Sequence, residues 1–563
     1  MRKLAWKLVL GWVIIAAVAI LTTGRVYLSP EFPHTHDGEN HLARFANYKL
    51  ALKQGQFPPR LAPNLLNGYS YPVFNYNYPL ANILSVPFSA IKINYELSFK
   101  LLALASLIGG VIGTDLWLRQ LKFGRAARLF SLLGFISTPY LINLIWFRGN
   151  IGELLALGLF PWALWLTDSW AAAQTKKTSW WLILVGGGIL LAHNITAMLL
   201  VPILLAYGWL RISGFSNLAG WKARLKLDLI WLASLTLCLW FWLPAIMEKS
   251  AIVLDNLNFS AETSKYFSTL NQIISSPVNF GFAYPGSVDN LSANAGILTW
   301  LSLGLTGIWL IILAARKKLT WNDLTLGFLW LSCSLLIWLQ TSGSSQVWQI
   351  FAPLKFVQFP WRLGLPVAIL VLPILATNFE NFSKSSLKWL LVVGLGLQFW
   401  SIFWLSPAGF FHHSIQDYDL YPQTTSTMNE NLPKGYNFIE YGELNRTPII
   451  FTGQGEIKVA LWSGTTRKYQ LKLTEPSLII EPSIVFPGFE TRSNGQKLSY
   501  INSDQIQGRL AYQLPAGDYQ ITTQFTQNTW PRQIGNLISL ITWLGLTGWG
   551  WKIFKSKNHA KTV

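Results

Sequence analysis

The chain has 563 residues, of which 51% are hydrophobic and only 12% are charged. An ordinary soluble protein of this length does not need so many apolar residues, so the composition excludes that class and favours an integral membrane protein. The net charge is +19, and cytoplasmic loops of a membrane protein account for such an excess. No long basic run stands outside those loops, which disfavours nucleic acid as a partner.

The apolar segments in chain order predict a polytopic helical protein. Basic residues precede the first apolar run, which has no small-x-small cleavage site and is therefore predicted to be an uncleaved span. Including it, we predict about twelve spans, because each segment is close to the length that crosses the hydrocarbon core. These spans are 8–28, 97–118, 129–147, 152–170, 179–192, 195–210, 228–247, 296–315, 323–341, 360–380, 387–406 and 534–554.

The basic clusters give the predicted orientation. They lie at 119–128, 176–177, 211–226, 316–318, 384–388 and 555–561. With both termini in the cytoplasm, every cluster falls on the cytoplasmic side, as the positive-inside rule requires. The apolar segment 79–92 must then be a re-entrant or interfacial piece, and Pro79 and Pro87 fit that role.

The same topology predicts three parts of the chain. Residues 1–406 form the transmembrane domain, with a large first outer loop at 29–78. Residues 407–533 form a small extracytoplasmic β-sandwich, because strand-like alternation recurs at 457–462, 469–473 and 519–525 with a turn at 515–518. Residues 534–563 form the last span and a basic cytoplasmic tail.

The first outer loop opens with an unusual polar stretch, residues 34–41, which holds three histidines and two acids. Asp37 is a plausible N-cap of a helix that would place His41 and Arg44 on one face, so one interpretation is a capped amphipathic helix on the outer membrane surface. A second is a divalent metal site, because His34, His36, Asp37, Glu39 and His41 all carry ligand atoms. The third, which we favour, is a general base, with Asp37 as first candidate and Glu39 as second.

Four more polar motifs are predicted on the same outer face. The first loop continues through Arg60 into an aromatic stretch, 69–78, that suits sugar faces and a membrane-surface belt equally well. Arg148 and Glu153 lie at membrane depth, where ionisable residues are usually functional, although an ion pair closing two helix ends is the simpler alternative. For His193, a helix-capping role and a functional role are two alternatives that the sequence does not distinguish.

The last motif is Trp361-Arg362, at the outer mouth of a span. The positive-inside rule disfavours an arginine there, and the guanidinium makes bidentate contacts to phosphates. Arg362 is therefore predicted to bind an anionic group.

These motifs together resemble a bacterial multispanning membrane family named for a 6-pyruvoyl-tetrahydropterin-synthase-related domain, over roughly residues 1–400. The resemblance rests on Asp37 after the first span and on the segments 57–60, 67–69, 78–80, 148–153, 192–194 and 358–362. The architecture also resembles the GT-C glycosyltransferase fold, whose members carry an acidic residue in the first outer loop and use polyprenyl-phosphate sugars. The first loop has Asp37 followed by Glu39, not the plain acidic pair of that group.

The resemblance implies a glycosyltransferase in the bacterial plasma membrane, with its active site outside and a lipid-linked sugar and a glycan or protein acceptor as partners. Asp37 and Glu39 would be the catalytic carboxylates. The substrate would be bound by residues around them, with Arg148 and Arg362 on the lipid phosphate: His36, His41, Arg44, Arg60, Arg148, Glu153, His193, Trp361 and Arg362. No cofactor is implied beyond a divalent metal. A lipid-linked glycan flippase and a non-catalytic polysaccharide assembly protein are the alternatives.

Overall fold

The structure, a computed structural model, describes residues 2–215, 220–256, 264–281, 291–382, 386–426, 428–436, 442–503 and 505–559. Two of the predicted cytoplasmic basic residues, Lys384 and Lys561, lie outside these ranges. Helices dominate up to residue 403, and most strands lie between residues 449 and 525.

Every predicted span contains a helix. The α-helices are, in chain order, α1 (Arg2–Leu21), α2 (Gly38–Lys53), α3 (Val73–Tyr76), α4 (Leu80–Ala90), α5 (Tyr95–Gln120), α6 (Arg125–Ile136), α7 (Pro139–Asn143), α8 (Ile151–Ala173), α9 (Lys176–Ala192), α10 (Asn194–Phe215), α11 (Gly220–Leu237), α12 (Leu239–Met247), α13 (Leu270–Ser275), α14 (Ile297–Ala315), α15 (Trp321–Trp338), α16 (Ser345–Ile350), α17 (Gly364–Asn381), α18 (Leu387–Phe403), α19 (Ile415–Asp419) and α20 (Trp530–His559). A π-helical turn, Leu144–Arg148, extends α7, and 3-10 turns at Ala352–Val357 and Pro360–Leu363 lead into α17.

Six helical segments among the described residues are long and apolar enough to cross a membrane: Tyr95–Gln120, Arg125–Arg148, Ile151–Ala173, Asn194–Gly214, Ile297–Ala315 and Pro360–Asn381. Two bent pairs, α11 with α12 and α15 with Ser342–Ile350, raise the number to eight if each pair is one span. The chain is therefore a polytopic helical membrane protein, while the count of about twelve spans stays a prediction. Helix α4, at 11 residues, is about 16 Å long and too short to cross, as predicted for 79–92.

The strands are β1 (Phe32–Pro33), β2 (Phe410–Phe411), β3 (Ile449–Thr452), β4 (Gly455–Trp462), β5 (Thr466–Leu473), β6 (Ser477–Ile484), β7 (Phe489–Ser493), β8 (Gln496–Lys497), β9 (Arg509–Leu514) and β10 (Gly517–Phe525). One sheet has the order β4-β5-β10-β7-β8 and another the order β3-β6-β9, both antiparallel. Leu471 and Ile521 of the first sheet share a core with Ile479 and Tyr512 of the second. Two sheets with a common core pack as a sandwich, so the predicted β-sheet region near the C-terminus is confirmed. The bounds 407–533 and the extracytoplasmic position stay predictions.

This β-domain, residues 449–525, packs directly on the first loop. The Gly464 amide donates to Gln54 Oε1 at 2.7 Å, and the Arg467 guanidinium, which is fully buried, donates to Ser70 Oγ at 2.9 Å. Between α18 and the β-domain, the chain also pairs β2 with β1. We call the helix ends nearest this unit the β-domain side.

Helix α2 is the main departure from the predicted fold. It is buried on most of its circumference, including His41, Arg44 and Tyr48, so the prediction of a helix lying on the membrane surface is wrong. Its polar face was visible in the sequence, but the chain segments that cover that face lie far away in sequence.

Candidate active site

Glu153 is the centre of a buried charged cluster on the β-domain side. It lies in the first turn of α8, where its amide donates to Oδ1 of the N-cap residue Asn150 at 2.9 Å. Arg148 ends the π-helical turn and donates to both carboxylate oxygens of Glu153, from Nη2 at 3.0 Å and from Nη1. Gly149 joins the two residues with φ +60°, a conformation that favours glycine. The ion pair between two helix ends, which was the simpler alternative for these residues, is therefore present, while their functional role stays a prediction.

Three more side chains surround the same carboxylate. Arg362 Nε lies 3.4 Å from Glu153 Oε1, and His193 Nε2 lies 3.8 Å from it. The Tyr140 hydroxyl donates to Oε2 at 3.2 Å. A fully desolvated carboxylate needs such partners, because its charge is costly in a medium of low dielectric constant.

Asp37 lies at the edge of this cluster and is its most accessible acid. Its amide donates to the Arg148 carbonyl at 2.8 Å, and its Oδ2 accepts from Asn150 Nδ2 at 3.0 Å. Arg148 Nη2 is 3.7 Å from the same Oδ2, and the Asp37 side chain is 26% exposed, against 1% for Glu153. Asp37 holds the predicted N-cap position but makes no capping bond; Thr35 Oγ1 accepts from the Gly38 amide instead.

The two arginines are held by aromatic rings as well as by Glu153. The Arg148 guanidinium lies 4.4 Å from the Trp361 ring centre and that of Arg362 lies 5.0 Å from the Phe359 ring centre, both within cation–π range. Among the described residues, the buried Trp361 Nε1 has no hydrogen-bond partner. A buried N–H without an acceptor is rare and costly, which suggests a site that a ligand atom completes.

The turn that delivers Arg362 carries backbone strain. Gln358 has φ +67° and ψ −55°, and the Phe359 amide donates to the Val357 carbonyl at 2.8 Å across it. This is the rare γ-turn with positive φ, which costs free energy and tends to occur at functional sites. The strained residue also binds Arg362, whose Nη1 donates to Gln358 Oε1 at 2.8 Å.

His41 and His193 are buried, His36 is partly buried, and all three are neutral at physiological pH. Burial lowers the pKa of His193 to about 3 and that of His36 to about 4. Burial also lowers the pKa of His41 well below its usual value, with Arg44 as the next cause. His193 Nδ1 accepts from the Thr196 amide at 3.2 Å, so the helix-cap alternative is confirmed and a functional role stays a prediction. Because Nδ1 accepts, the neutral ring carries its proton on Nε2, which faces Glu153.

The metal site predicted for residues 34–41 does not form. His34 packs on Phe411 and His36 on Phe280, while His41 packs on Tyr78 and Phe99. Within the ranges that the structure describes, no group of three or more His, Cys, Asp or Glu side chains is placed to hold a metal ion. The residues of this stretch point in different directions because a helix begins in its middle.

Two predicted site residues lie elsewhere. Glu39 is half-exposed and lies 3.6 Å from His413, so it does not pair with Asp37. Arg60 is fully buried, donates to the Trp240 carbonyl at 2.6 Å and to Gln527 Oε1 at 3.4 Å, and belongs to the attachment of the β-domain. Both predictions are corrected for the same reason: sequence proximity to a motif does not fix the direction of a side chain.

Three further residues lie around the charged cluster: Arg44, and also Glu430 and Tyr140, which the sequence did not single out. Arg44 is buried and binds Thr425 through Nε, at 2.9 Å to Oγ1, and Asn77 through Nη1. Glu430 follows in the same segment, where burial raises its pKa and the charges of Arg44 and Arg362 lower it. No signal in the sequence connects the segment of Thr425 and Glu430 with Arg44, almost four hundred residues earlier. Tyr140 was not singled out because it lies inside an apolar predicted span.

The helices and this cluster define an α-helical membrane protein with a buried charged centre beside an accessible carboxylate. No family model matches the chain. An uncharacterized protein of Lactococcus lactis subsp. cremoris (strain MG1363) is 27% identical over 202 residues, which cover 35% of this chain and 32% of the relative. The chain thus matches about a third of the length of that relative.

Two solved structures are similar in part. Arabinofuranosyltransferase AftD from Mycobacteria is 16% identical and aligns over 70% of this chain and 26% of its own, with a TM-score of 0.43. The Archaeoglobus fulgidus oligosaccharyltransferase in the apo form is 10% identical and aligns over 76% of this chain and 62% of its own, with a TM-score of 0.41. These scores lie below 0.5, and the function proposed next rests on the residues of the chain itself.

Proposed function

We propose that the protein is a GT-C-type membrane glycosyltransferase that moves a sugar from a polyprenyl-phosphate donor to a glycan or protein acceptor. The observation that carries the proposal is the position of Asp37, a partly exposed carboxylate held against a buried centre with two arginines. The proposed setting is the outer face of a bacterial plasma membrane, with both termini in the cytoplasm, because the basic clusters then face inward.

In the proposed reaction, Asp37 removes the proton of the acceptor hydroxyl while that oxygen attacks the anomeric carbon. The bond from that carbon to the phosphate oxygen breaks, and polyprenyl phosphate leaves with the bonding pair. Arg148 and Arg362 stabilise the charge that develops on the phosphate, since guanidinium groups bind phosphates in bidentate fashion. Glu153 fixes both arginines, so their donors are oriented before the substrate binds.

The test is transfer by the purified full chain from a panel of radiolabelled polyprenyl-phosphate hexoses and pentoses. Asp37→Asn keeps the size of the side chain and can still accept from Asn150, so we expect a folded protein whose transfer rate is reduced at least 100-fold, as for the loss of a general base. Glu39→Gln is the matched control, because it removes a carboxylate of the same loop that faces His413 instead. We expect this control to keep its activity.

Two results would contradict the proposal. Full transfer activity of a folded Asp37→Asn variant would remove the assigned role of Asp37. Movement of the lipid-linked sugar across a proteoliposome membrane, without release of polyprenyl phosphate, would make the protein a transporter.

A further inference from the structure

A cavity of mixed polar and apolar lining lies away from Asp37, between helix α2, the segment 63–68 and the β-domain. Its volume is about 280 Å³, close to the lower end of the range for small-ligand pockets. The turn between β4 and β5 forms one wall, and the last two turns of α2 form the opposite wall. The cavity therefore exists only where the β-domain meets the first loop.

The lining carries more positive than negative charge. Lys49 and Lys53 lie four residues apart on one face of α2, and Arg446 also lines the cavity. Asp419 is the one acid among the described lining residues. Asp419 is already engaged: the Tyr95 hydroxyl donates to its Oδ1 at 2.7 Å and accepts from Lys49 Nζ at 3.0 Å. This chain of hydrogen bonds links Lys49 to the Asp419 carboxylate, which offsets the positive charge of Lys49.

Lys53 and Arg446 are the two exposed cations of the described lining. Neither forms an ion pair with a described carboxylate; Arg446 donates to the amide oxygen of Asn64 at 3.2 Å. Two like charges that face one cavity repel each other, so an anion bound between them removes an unfavourable interaction. A cavity of about 280 Å³ has room for one small polar or amphipathic unit between these cations and the apolar part of the lining.

Trp462 supplies an aromatic surface in the same cavity. Its ring is half-buried, and the Arg467 guanidinium lies 5.2 Å from its centre, which fixes the indole in place. A rigid indole offers apolar contact to the C–H face of a sugar ring, while the cations select a charged substituent on that ring. The lining thus combines the two features that distinguish an acidic sugar from a neutral one.

We propose that this cavity binds an anionic sugar unit of a glycan, one that carries a carboxylate or a phosphate. Lys53 and Arg446 contact the anionic group and Trp462 contacts the ring. The proposal concerns binding alone and does not depend on a transfer step, so it can fail while the proposed function holds, and the reverse.

The experiment measures binding to the purified full chain in detergent by equilibrium dialysis. The probes are fluorescently labelled trigalacturonate and the matched neutral galactose trisaccharide, with galactose 6-phosphate and inorganic phosphate as competitors. We expect trigalacturonate to bind at least tenfold more tightly than the neutral trisaccharide. Lys53→Ala with Arg446→Ala should remove that preference, and Trp462→Ala should weaken binding more than Trp462→Phe.

The control is Lys458→Ala with Lys472→Ala, which removes the same charge from exposed positions of β4 and β5 outside the cavity. Equal weakening by this control would mean non-specific attraction and would overturn the proposal, as would equal affinity for the neutral trisaccharide. Displacement of labelled trigalacturonate by galactose 6-phosphate beyond that by inorganic phosphate identifies a phosphosugar as a ligand. Binding of trigalacturonate that galactose 6-phosphate does not displace identifies a uronate. Thermal melting of each variant confirms that it is folded.

Discussion

At the level of single residues, the negative charge of Glu153 compensates the positive charge of the arginines in the buried cluster. One carboxylate, 1% exposed, faces Arg148, Arg362 and His193. Burying an ion pair is expensive, but removing one partner costs more, because the remaining charge is left without compensation. This residue is therefore expected to matter for stability as well as for any reaction.

We predict that Glu153→Gln destabilises the protein by about 3–5 kcal/mol, because two buried guanidinium groups lose their shared carboxylate. Thermal melting in detergent measures the effect. Glu475→Gln, at an exposed turn between β5 and β6, is the matched control and should leave the melting midpoint almost unchanged. Equal melting of the two variants would contradict the role of Glu153.

His36 gives a prediction on pH dependence. Burial lowers its pKa from 6.5 to about 4 in the folded protein. Between pH 4 and 6.5 the unfolded chain therefore binds more protons, so stability is fully present above pH 6.5 and falls on acidification through this window. One such group contributes up to about 1.4 kcal/mol per pH unit.

The measurement is the melting midpoint of wild type and His36→Gln at pH 7.5 and 5.0. The variant should lose less stability on acidification, because one partly buried neutral imidazole is absent. His41 and His193 remain and keep part of the effect. Identical losses in both proteins would show that desolvation does not lower the pKa of His36.

The sequence predicted individual site residues with mixed success, for a physical reason. Asp37, Arg148, Glu153, His193 and Arg362 do meet, because each sits at a helix end on the same side of a helical protein. Glu39 and Arg60 do not join them, since the direction of a side chain depends on tertiary contacts that no local pattern encodes. The catalytic and binding roles themselves stay predictions.

At the level of secondary-structure elements, close packing around Gly152 of α8 determines where His193 lies. Gly152 lies where α8 passes the Tyr78 ring and the Ala192 carbonyl, and a Cβ there would lie 2.6 Å from that carbonyl oxygen. Because α8 passes so close to the end of α9, His193, which follows Ala192, lies against Glu153. A glycine at this position is required by space and not by backbone conformation.

We predict that Gly152→Ala costs about 1–3 kcal/mol, because overpacking forces α8 away from Tyr78 and Ala192. The melting midpoint should fall by several degrees. Gly304→Ala is the control, since nothing lies within 4 Å of a Cβ at that helical position, and alanine favours a helix over glycine. A stable Gly152→Ala variant would contradict the described packing.

The helices and strands could be predicted from the sequence more fully than the arrangement of the candidate active site. Long apolar segments gave helices and alternating segments gave β4, β5 and β10, because both signals are periodic and local. The burial of α2 could not be predicted, since it depends on Thr425 and on the segment 63–68. The number of spans and the resemblance to the pterin-synthase-related family also stay predictions.

The attachment of the β-domain is set at the level of the whole molecule by a second buried ion pair. Arg532, at the start of α20, donates to Glu248 Oε2 at 2.8 Å and to the Pro487 carbonyl at 2.9 Å. Glu248 also accepts from Asn75 at 3.0 Å. One arginine thus joins the last helix, the β-domain and the helical domain.

We predict that Arg532→Ala loosens the β-domain, because Glu248 is left buried and unpaired at a cost of about 3–5 kcal/mol. Limited proteolysis should cut faster around residues 526–530 than in wild type. Arg492→Ala, which removes an exposed ion pair with Glu490, is the control and should cut at the wild-type rate. Unchanged proteolysis of Arg532→Ala would show that the β-domain is held by other contacts.

The hydrogen bond from Arg44 to Thr425 joins residues 381 positions apart. At a synthesis rate of about 5–20 residues per second, roughly 20–80 seconds separate the emergence of the two. During that interval Arg44 lacks the Thr425 contacts that it has in the folded protein. A chain truncated before residue 425 would leave this side of α2 uncovered, and proteases are expected to cut it there.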